Sequence, residues 1–319
     1  MSQIPKSTVE LATQHLSPIE RRLISIRPWG WVLDYILKPI LYRILPFINY
    51  KTTAFEKYIK DETKCIANEQ AETGVVHTML NSEELETILN ACRRNEVTMH
   101  NACEAAGNIA MCELIAKAAK EKGDDIENLG QDSVFVGVDY RKRSNVSARD
   151  KQNYVAIQSI AMKKNITISK WRDVNRFWEL ARQVQRENRE NLVRHVKVTF
   201  LEYAMESIVL SDPDQYVKYF RPEQRRHLIA YTSNGNCNYL NRAPGSGIKI
   251  GGILSGFGIH NYGSVFYHHV ITVDNKLIWD VNYATNICER EFAVVYLQRC
   301  VGILKEFCDC PGMSFVVSK

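Results

Sequence analysis

The chain has 319 residues, of which 45% are hydrophobic, so it is long enough to bury a substantial core. Its 41 Lys and Arg residues and 36 Asp and Glu residues give a net charge of +5, without the concentrated basic runs of nucleic-acid-binding proteins. Composition and charge therefore predict a globular protein and exclude nucleic acid as an expected partner.

The N-terminal region is polar where a secretory signal would be apolar, and an apolar stretch follows at Pro28–Phe47. Three charged residues and the helix-breaking Pro39 interrupt that stretch, whereas a membrane-spanning helix needs about 20 nearly uninterrupted apolar residues. We therefore expect a helical arm that packs over an exposed part of the core, mediates self-association or lies on a membrane surface. Residues 1–65 are predicted to form this arm with linker helices, and residues 66–319 a separate domain.

The domain that follows alternates between strand and helix patterns. Residues 73–80 read as a strand, after which Asn81 is the predicted cap of a helix with Glu84 as its capping-box partner. Thr98 is predicted to cap a second helix, which is apolar on nearly every face and ends at Gly123. These patterns predict an α+β fold in which helices flank a mixed β-sheet.

Two alternating segments, residues 132–143 and 153–162, read as further strands. An amphipathic helix is predicted from Ser169, with an apolar face of Val174, Phe177, Trp178, Ala181 and Val184. Four more strand-like segments follow, at residues 226–234, 248–256, 264–273 and 277–285. The last helix is predicted to begin at Asn286 with Glu289 as its capping-box partner.

The nine cysteines form an odd set without C-x-x-C spacing. Cys308 and Cys310 are too close together for a zinc knuckle. We therefore expect reduced thiols, no metal site and a cytoplasmic location, peripheral to membranes if the apolar arm binds them.

The stretch SVFYHHVITVDNK (residues 264–276) places two histidines shortly before an aspartate. In a strand, His268 and His269 point to opposite faces, and Asp274 lies on the order of 16 Å along the strand from His269. Asp274 and Asn275 fit a tight hairpin turn, because Asx residues tolerate positive φ angles. We interpret both histidines as strand residues, one of them in the core, and keep them as candidate bases.

Four phrases follow one another in a recognisable order: NEVTMHNACEAAGNIAM (95–111), VGVDYRKR (136–143), YTSNGN (231–236) and the closing hairpin and helix at 273–306. Their order and spacing resemble the C-terminal half of the chloramphenicol-acetyltransferase-like superfamily. That superfamily includes alcohol acetyltransferases, wax-ester synthases and the condensation domains of peptide synthetases.

The resemblance implies acyl transfer from a thioester, on coenzyme A or a carrier protein, to an alcohol or amine. Acyl-CoA would then be a co-substrate, with no bound cofactor. The resemblance also implies that Ser233 and Asn234 line a substrate tunnel, although the same residues suit a simple turn. Arg141 would help to structure the active-site region, or else is a solvated cation.

In the superfamily, the second histidine of a His-His-x-x-x-Asp-Gly motif takes the proton from the attacking group. Here four residues separate His269 from Asp274 where the family has three, and Asn275 stands in place of glycine. Residues 1–70 contain no such motif. Three explanations stay open: an incomplete gene model of an acyltransferase, a pseudoenzyme that binds acyl groups or a protein partner, or another histidine as base.

Overall fold

The computed structural model describes residues 17–19, 54–59, 72–125, 128–139, 157–167, 174–194, 228–241, 249–256 and 264–309, with Gly247 and Gly258. The chain divides into two compact units, one of residues 1–51, 138–159 and 190–224 and the other of residues 52–137, 160–189 and 225–319. Nearly all described residues belong to the second unit. The predicted arm at Pro28–Phe47 and the predicted boundary between residues 65 and 66 lie outside the described residues.

The described part of the chain combines helices and strands, which confirms the predicted α+β class. Its helices are α1 (Ala54–Tyr58), α2 (Ser82–Arg94), α3 (Met99–Glu121), α4 (Val174–Arg194) and α5 (Arg290–Phe307). Its strands are β1 (Thr73–Leu80), β2 (Asn128–Asp139), β3 (Ile157–Thr167), β4 (Ile229–Asn236), β5 (Phe266–Val273) and β6 (Lys276–Ala284). A 3₁₀ turn at Asn238–Asn241 follows β4. None of the helices in this part of the chain combines the length and apolar character that crossing a membrane requires.

The six strands form one mixed sheet in the order β1-β6-β5-β4-β2-β3. Strand β6 is antiparallel to both β1 and β5, whereas β4 is parallel to β5 and β2. The connection from β5 to β6 is the predicted hairpin, since Asp274 and Asn275 adopt φ angles of 51° and 53°. Val273 pairs with Lys276 across this turn, which fixes the register of the whole hairpin.

Helices pack on one face of the sheet, and their starting points follow local sequence signals. The predicted capping box of α2 is present, because Asn81 Oδ1 accepts from the Glu84 amide and Glu84 Oε2 accepts from the Asn81 amide, both at 2.9 Å. Thr98 caps α3 as predicted, and Gly123 follows that helix with a φ of 85°.

The predicted start of the last helix is wrong. Helix α5 begins at Arg290 rather than Asn286, and Glu289 is its N-cap, although its side chain does not cap the helix. The reason is a turn at the end of β6, where the amides of Ile287 and Cys288 both donate to the Ala284 carbonyl, at 3.1 and 2.9 Å. The backbone turns there before it enters the helix.

Helix α3 lies directly against the sheet, and Gly107 permits this close approach. A Cβ atom at Gly107 would lie 1.9 Å from Tyr231 Oη and 3.4 Å from the ring of His268. Tyr231 belongs to β4 and His268 to β5, and both side chains are buried. The glycine therefore sets the distance between α3 and the middle of the sheet.

Residues 249–256 lie across the other face of the sheet, and we call them the covering segment. The prediction of a strand here is wrong, because the segment has no regular secondary structure. Its backbone bonds instead to a side chain: Ile250 donates to Asn241 Oδ1 and accepts from Asn241 Nδ2, at 2.8 and 2.9 Å. Ile250 and Ile253 pack against an apolar cluster of Cys237, Ile271, Val273 and Ile278.

Candidate active site

The two adjacent histidines of β5 lie on opposite faces of the sheet, as strand geometry predicts. His268 faces the helices and His269 faces the covering segment. Both side chains are completely buried, with 0% of their surface exposed. The two rings nevertheless have different partners, and these partners determine what each ring can do.

His268 has a structural role in the core. Trp279 Nε1–H donates to its Nδ1 at 3.1 Å, and since an indole can only donate, Nδ1 must be the acceptor. The proton of the neutral ring is therefore on Nε2, which lies 2.9 Å from Tyr296 Oη. The Tyr296 hydroxyl donates in turn to the Gly107 carbonyl at 3.2 Å. Burial lowers the pKa of His268 to about 3, so the ring is neutral at physiological pH.

His269 forms a buried pair with Asp280. The two residues stand directly opposite each other on β5 and β6, and His269 Nδ1 lies 2.9 Å from Asp280 Oδ1. A carboxylate only accepts hydrogen bonds, so Nδ1 carries a proton. The second carboxylate oxygen accepts from Asn282 Nδ2 at 3.2 Å. Both carboxylate oxygens of the buried Asp280 therefore accept a hydrogen bond, one from His269 on the neighbouring strand and one from Asn282 on the same strand.

Ser255 of the covering segment completes the arrangement. Its Oγ lies 3.2 Å from His269 Nε2, and the tautomer with its proton on Nδ1 offers a lone pair at Nε2 to a hydroxyl proton. Asn282 Nδ2 also donates to the Ser255 carbonyl at 3.1 Å, which holds this part of the segment on the sheet. Ser255 is partly exposed, unlike His269 and Asp280. Hydroxyl, imidazole and carboxylate therefore follow one another from the surface to the interior, in the order of a nucleophile, a base and a positioning group.

The structure confirms the prediction that an extended strand separates Asp274 from His269. Strand β5 is extended, and Asp274 lies in the hairpin turn with Lys249 Nζ 2.7 Å from its carboxylate. Sequence reasoning nevertheless missed Asp280. The signal was available, because counting outward from a two-residue turn at Asp274–Asn275 places residue 280 opposite residue 269.

Sequence reasoning also missed Ser255, and no signal pointed to it. The glycine-rich segment was predicted as a strand, which would place Ser255 in the sheet rather than across its face. A contact between a loop and a sheet face depends on tertiary packing, which the local pattern does not encode.

The predicted tunnel residues lie elsewhere. Ser233 and Asn234 are exposed at the end of β4, and Ser233 Oγ accepts from the Gly235 amide at 3.2 Å within a β-bulge. Ser233 pairs with Val270, whose side chain lies on the opposite face of β5 from His269. The structure thus does not bring Ser233 together with His269, and the tunnel role stays a prediction. Arg141 lies outside the described residues.

Five of the described cysteines, Cys92, Cys103, Cys112, Cys288 and Cys300, are buried thiols with raised pKa values and do not offer an activated thiolate. The seven described cysteines are buried and form no disulfide: Cys92, Cys103, Cys112, Cys237, Cys288, Cys300 and Cys308. Burial raises the pKa of Cys92 and Cys112 to about 12, so both are protonated at neutral pH. Among the described residues, the hydroxyl of Ser255 is therefore a better candidate nucleophile than these thiols.

Comparison with solved structures identifies the fold. The match to the trichothecene 15-O-acetyltransferase of Fusarium sporotrichioides covers 86% of this chain and 53% of the acetyltransferase, with a TM-score of 0.54 and 15% identity. The match to the cyclization-docking bidomain of a nonribosomal peptide synthetase from Sorangium cellulosum covers 95% of this chain and 51% of the bidomain, with a TM-score of 0.50 and 11% identity. The chain has the chloramphenicol-acetyltransferase-like fold.

The resemblance read from four phrases of the sequence is thereby confirmed at the level of fold. The chain spans about half the length of the solved structures that it matches, 53% and 51%. No family model and no curated protein matches it by sequence. The assignment to the C-terminal half of the chloramphenicol-acetyltransferase-like fold stays a prediction.

Proposed function

We propose that this protein transfers acyl groups from a thioester, with His269 as the general base and Asp280 as the residue that positions it. One observation carries the proposal: the 2.9 Å contact between His269 Nδ1 and Asp280 Oδ1, which directs the lone pair of Nε2 towards a hydroxyl. This is the third of the explanations that the sequence left open.

The buried carboxylate serves a base in two ways. It holds the imidazole in the tautomer that can accept a proton at Nε2. It also stabilises the positive charge that the ring gains on accepting that proton, an effect that water screens little because both side chains are fully buried. A positioned general base of this kind contributes about 10²–10⁴-fold to a rate.

The choice of acyl transfer rests on the fold. One of the solved structures that the chain resembles is described as an O-acetyltransferase. In the reaction we propose, acyl-CoA or an acyl-carrier thioester is the donor and an alcohol or amine the acceptor. The thioester is a co-substrate, so the proposal requires no bound cofactor.

The first test is turnover by the purified full chain. Butyryl-CoA serves as donor and octan-1-ol as acceptor, and mass spectrometry follows the release of coenzyme A and the formation of octyl butyrate. We expect His269→Gln to lower the rate about 10²–10⁴-fold, because the glutamine amide cannot take up a proton as the imidazole does. The exposed Asp125 provides the control variant Asp125→Asn, which should match the wild type.

The variant Asp280→Asn tests the positioning role separately. Asp280 accepts from both His269 and Asn282, whereas an asparagine has only one acceptor oxygen. If its amide nitrogen faces the ring, the proton of His269 moves to Nε2 and the base can no longer act. We expect kcat to fall at least about a hundredfold with little change in KM, together with a change of the His269 tautomer in ¹⁵N NMR spectra.

Wild-type rates in both variants would contradict the proposal. A wild-type protein that binds butyryl-CoA by calorimetry without turning it over would instead support the acyl-binding pseudoenzyme that the sequence left open. Circular dichroism and thermal melts of each variant distinguish a lost base from a lost fold.

A further inference from the structure

We propose that Ser255 is the nucleophile of this site and carries the acyl group as a covalent ester. The inference rests on the proposed function and extends it, since it changes direct transfer between two substrates into a two-step reaction. It starts from a difference in solvent exposure: Ser255 is partly exposed, whereas His269 and Asp280 behind it are completely buried.

In the free protein, Ser255 holds the position next to His269 Nε2 that an acceptor hydroxyl would need. A general base must approach within about 2.6–3.2 Å of the oxygen whose proton it takes. The position next to Nε2 is already occupied by Ser255 Oγ at 3.2 Å, and the ring itself has no exposed surface. Among the described residues, the hydroxyl that lies within reach of His269 Nε2 is therefore that of Ser255.

Ser255 is held in place from two directions. Its carbonyl accepts from Asn282 Nδ2, and Asn282 also donates to Asp280, so one amide group links the nucleophile to the positioning carboxylate. On the N-terminal side, Ile250 is bonded to Asn241 at both its amide and its carbonyl. A nucleophile fixed against its base needs little reorganisation before it reacts.

Both chain neighbours of Ser255, Leu254 and Gly256, are exposed. Gly256 follows it directly, and a Cβ atom there would meet no other atom within 4 Å. Leu254 precedes it in the sequence and is an apolar side chain that is 54% exposed. These neighbours fit an aliphatic acyl chain better than a charged substrate.

The reaction proceeds in two balanced steps. Ser255 Oγ attacks the thioester carbonyl carbon while its proton passes to His269 Nε2, and the carbon–sulfur bond breaks as the leaving thiolate takes that proton. The product is a thiol and an acyl ester of Ser255. In the second step the esterified Ser255 Oγ no longer carries a proton to donate, so Nε2 is open to an alcohol. The alcohol attacks the ester and its proton passes to Nε2, and Nε2 returns that proton to Ser255 Oγ as the bond between Oγ and the acyl carbon breaks. Water in place of the alcohol gives hydrolysis.

A fluorophosphonate probe tests the nucleophile independently of the natural substrate. The full chain is incubated with a fluorophosphonate, digested with trypsin, and the modified residue located by tandem mass spectrometry. We expect one adduct at Ser255, its absence in Ser255→Ala, and labelling at least about a hundredfold slower in Asp280→Asn. The exposed Ser82 offers the matched control Ser82→Ala, which should be labelled at the wild-type rate.

Incubation with butyryl-CoA followed by acid quenching provides the second readout. We expect intact-protein mass spectrometry to detect a butyryl adduct in the wild type and none in Ser255→Ala. Failure of the wild-type protein to react at Ser255 with either reagent would overturn the inference.

The two proposals fail in different ways. If Ser255→Ala keeps full butyryl transfer while His269→Gln loses it, the inference about Ser255 is wrong and the proposed function stands. If the probe labels Ser255 in the wild type but no thioester is turned over, the nucleophile stands and the proposed function fails.

Discussion

His268 and His269 are neighbours in sequence and equally buried, yet the structure makes one inert and the other suited to chemistry. The partners of His268 are an indole donor and a tyrosine hydroxyl, which together occupy both ring nitrogens. The partners of His269 are a carboxylate and a serine hydroxyl, which direct a lone pair towards a group that can give up its proton. Burial alone therefore says little about a histidine, because the donors and acceptors on its face of the sheet decide its role.

The largest effect on stability is expected from Gly107→Ala, which disrupts packing on the face of the sheet where His268 lies. The new Cβ would lie 1.9 Å from the fully buried Tyr231 Oη, so either the tyrosine or helix α3 must move. We expect a loss of about 3 kcal/mol in the free energy of unfolding, at the upper end for overpacking of a core. Denaturant unfolding followed by circular dichroism measures this loss.

Gly123→Ala is the matched control for that substitution. Gly123 has a φ of 85° but open space around its Cβ position, so alanine there costs only the backbone strain, about 1 kcal/mol. Equal losses in the two variants would contradict the idea that close packing of α3 on the sheet depends on Gly107.

The low pKa of His268 should make the stability of the protein depend on pH. The unfolded chain protonates this residue near its ordinary pKa of 6.5, whereas the native ring stays neutral down to about pH 3. The unfolded state therefore binds more protons in this window, and stability falls as the pH decreases through it. Between pH 7.5 and pH 5, His268 should account for a loss of about 2 kcal/mol.

Comparison with His268→Gln isolates that contribution from those of other titrating groups. We expect the free energy of unfolding of the variant to fall about 2 kcal/mol less than that of the wild type over the same interval. An NMR titration of the His268 ring provides a direct check, and protonation of the native ring near pH 6 would contradict the prediction.

The smallest effect is expected on the face of His269, from the ion pair between Lys249 and Asp274. The Lys249 side chain is 68% exposed, so solvent screens its 2.7 Å contact with the carboxylate. We expect Lys249→Met to cost less than about 1 kcal/mol, and the difference from the wild type to shrink in high salt. A larger loss that is insensitive to salt in denaturant unfolding would mean that the aliphatic stem of Lys249 holds the covering segment.

Local signals were sufficient to predict much of the fold. The first strand, the capping box at Asn81 and Glu84 and the tight turn at Asp274 and Asn275 all depend on residues close together in sequence. The opposite orientation of the two histidines followed from strand geometry alone.

The site was harder to predict, because its three side chains come from separate segments. Asp280 required the hairpin register to be counted, which the turn itself made possible. Ser255 required knowledge that the covering segment crosses the sheet. Its apolar residues resembled a strand, yet Ile250 and Ile253 pack inward while Leu254 is exposed, a spacing that no strand would give.

The length of the two-residue turn between β5 and β6 determines which residue of β6 lies opposite His269. One inserted residue at this turn would slide β6 by a single step and bring Trp279, instead of Asp280, opposite His269. A descendant carrying that insertion would retain every side chain of the site in its sequence and still be unable to assemble it. The site therefore depends on the length of this short loop as much as on the identity of the residues that form the site.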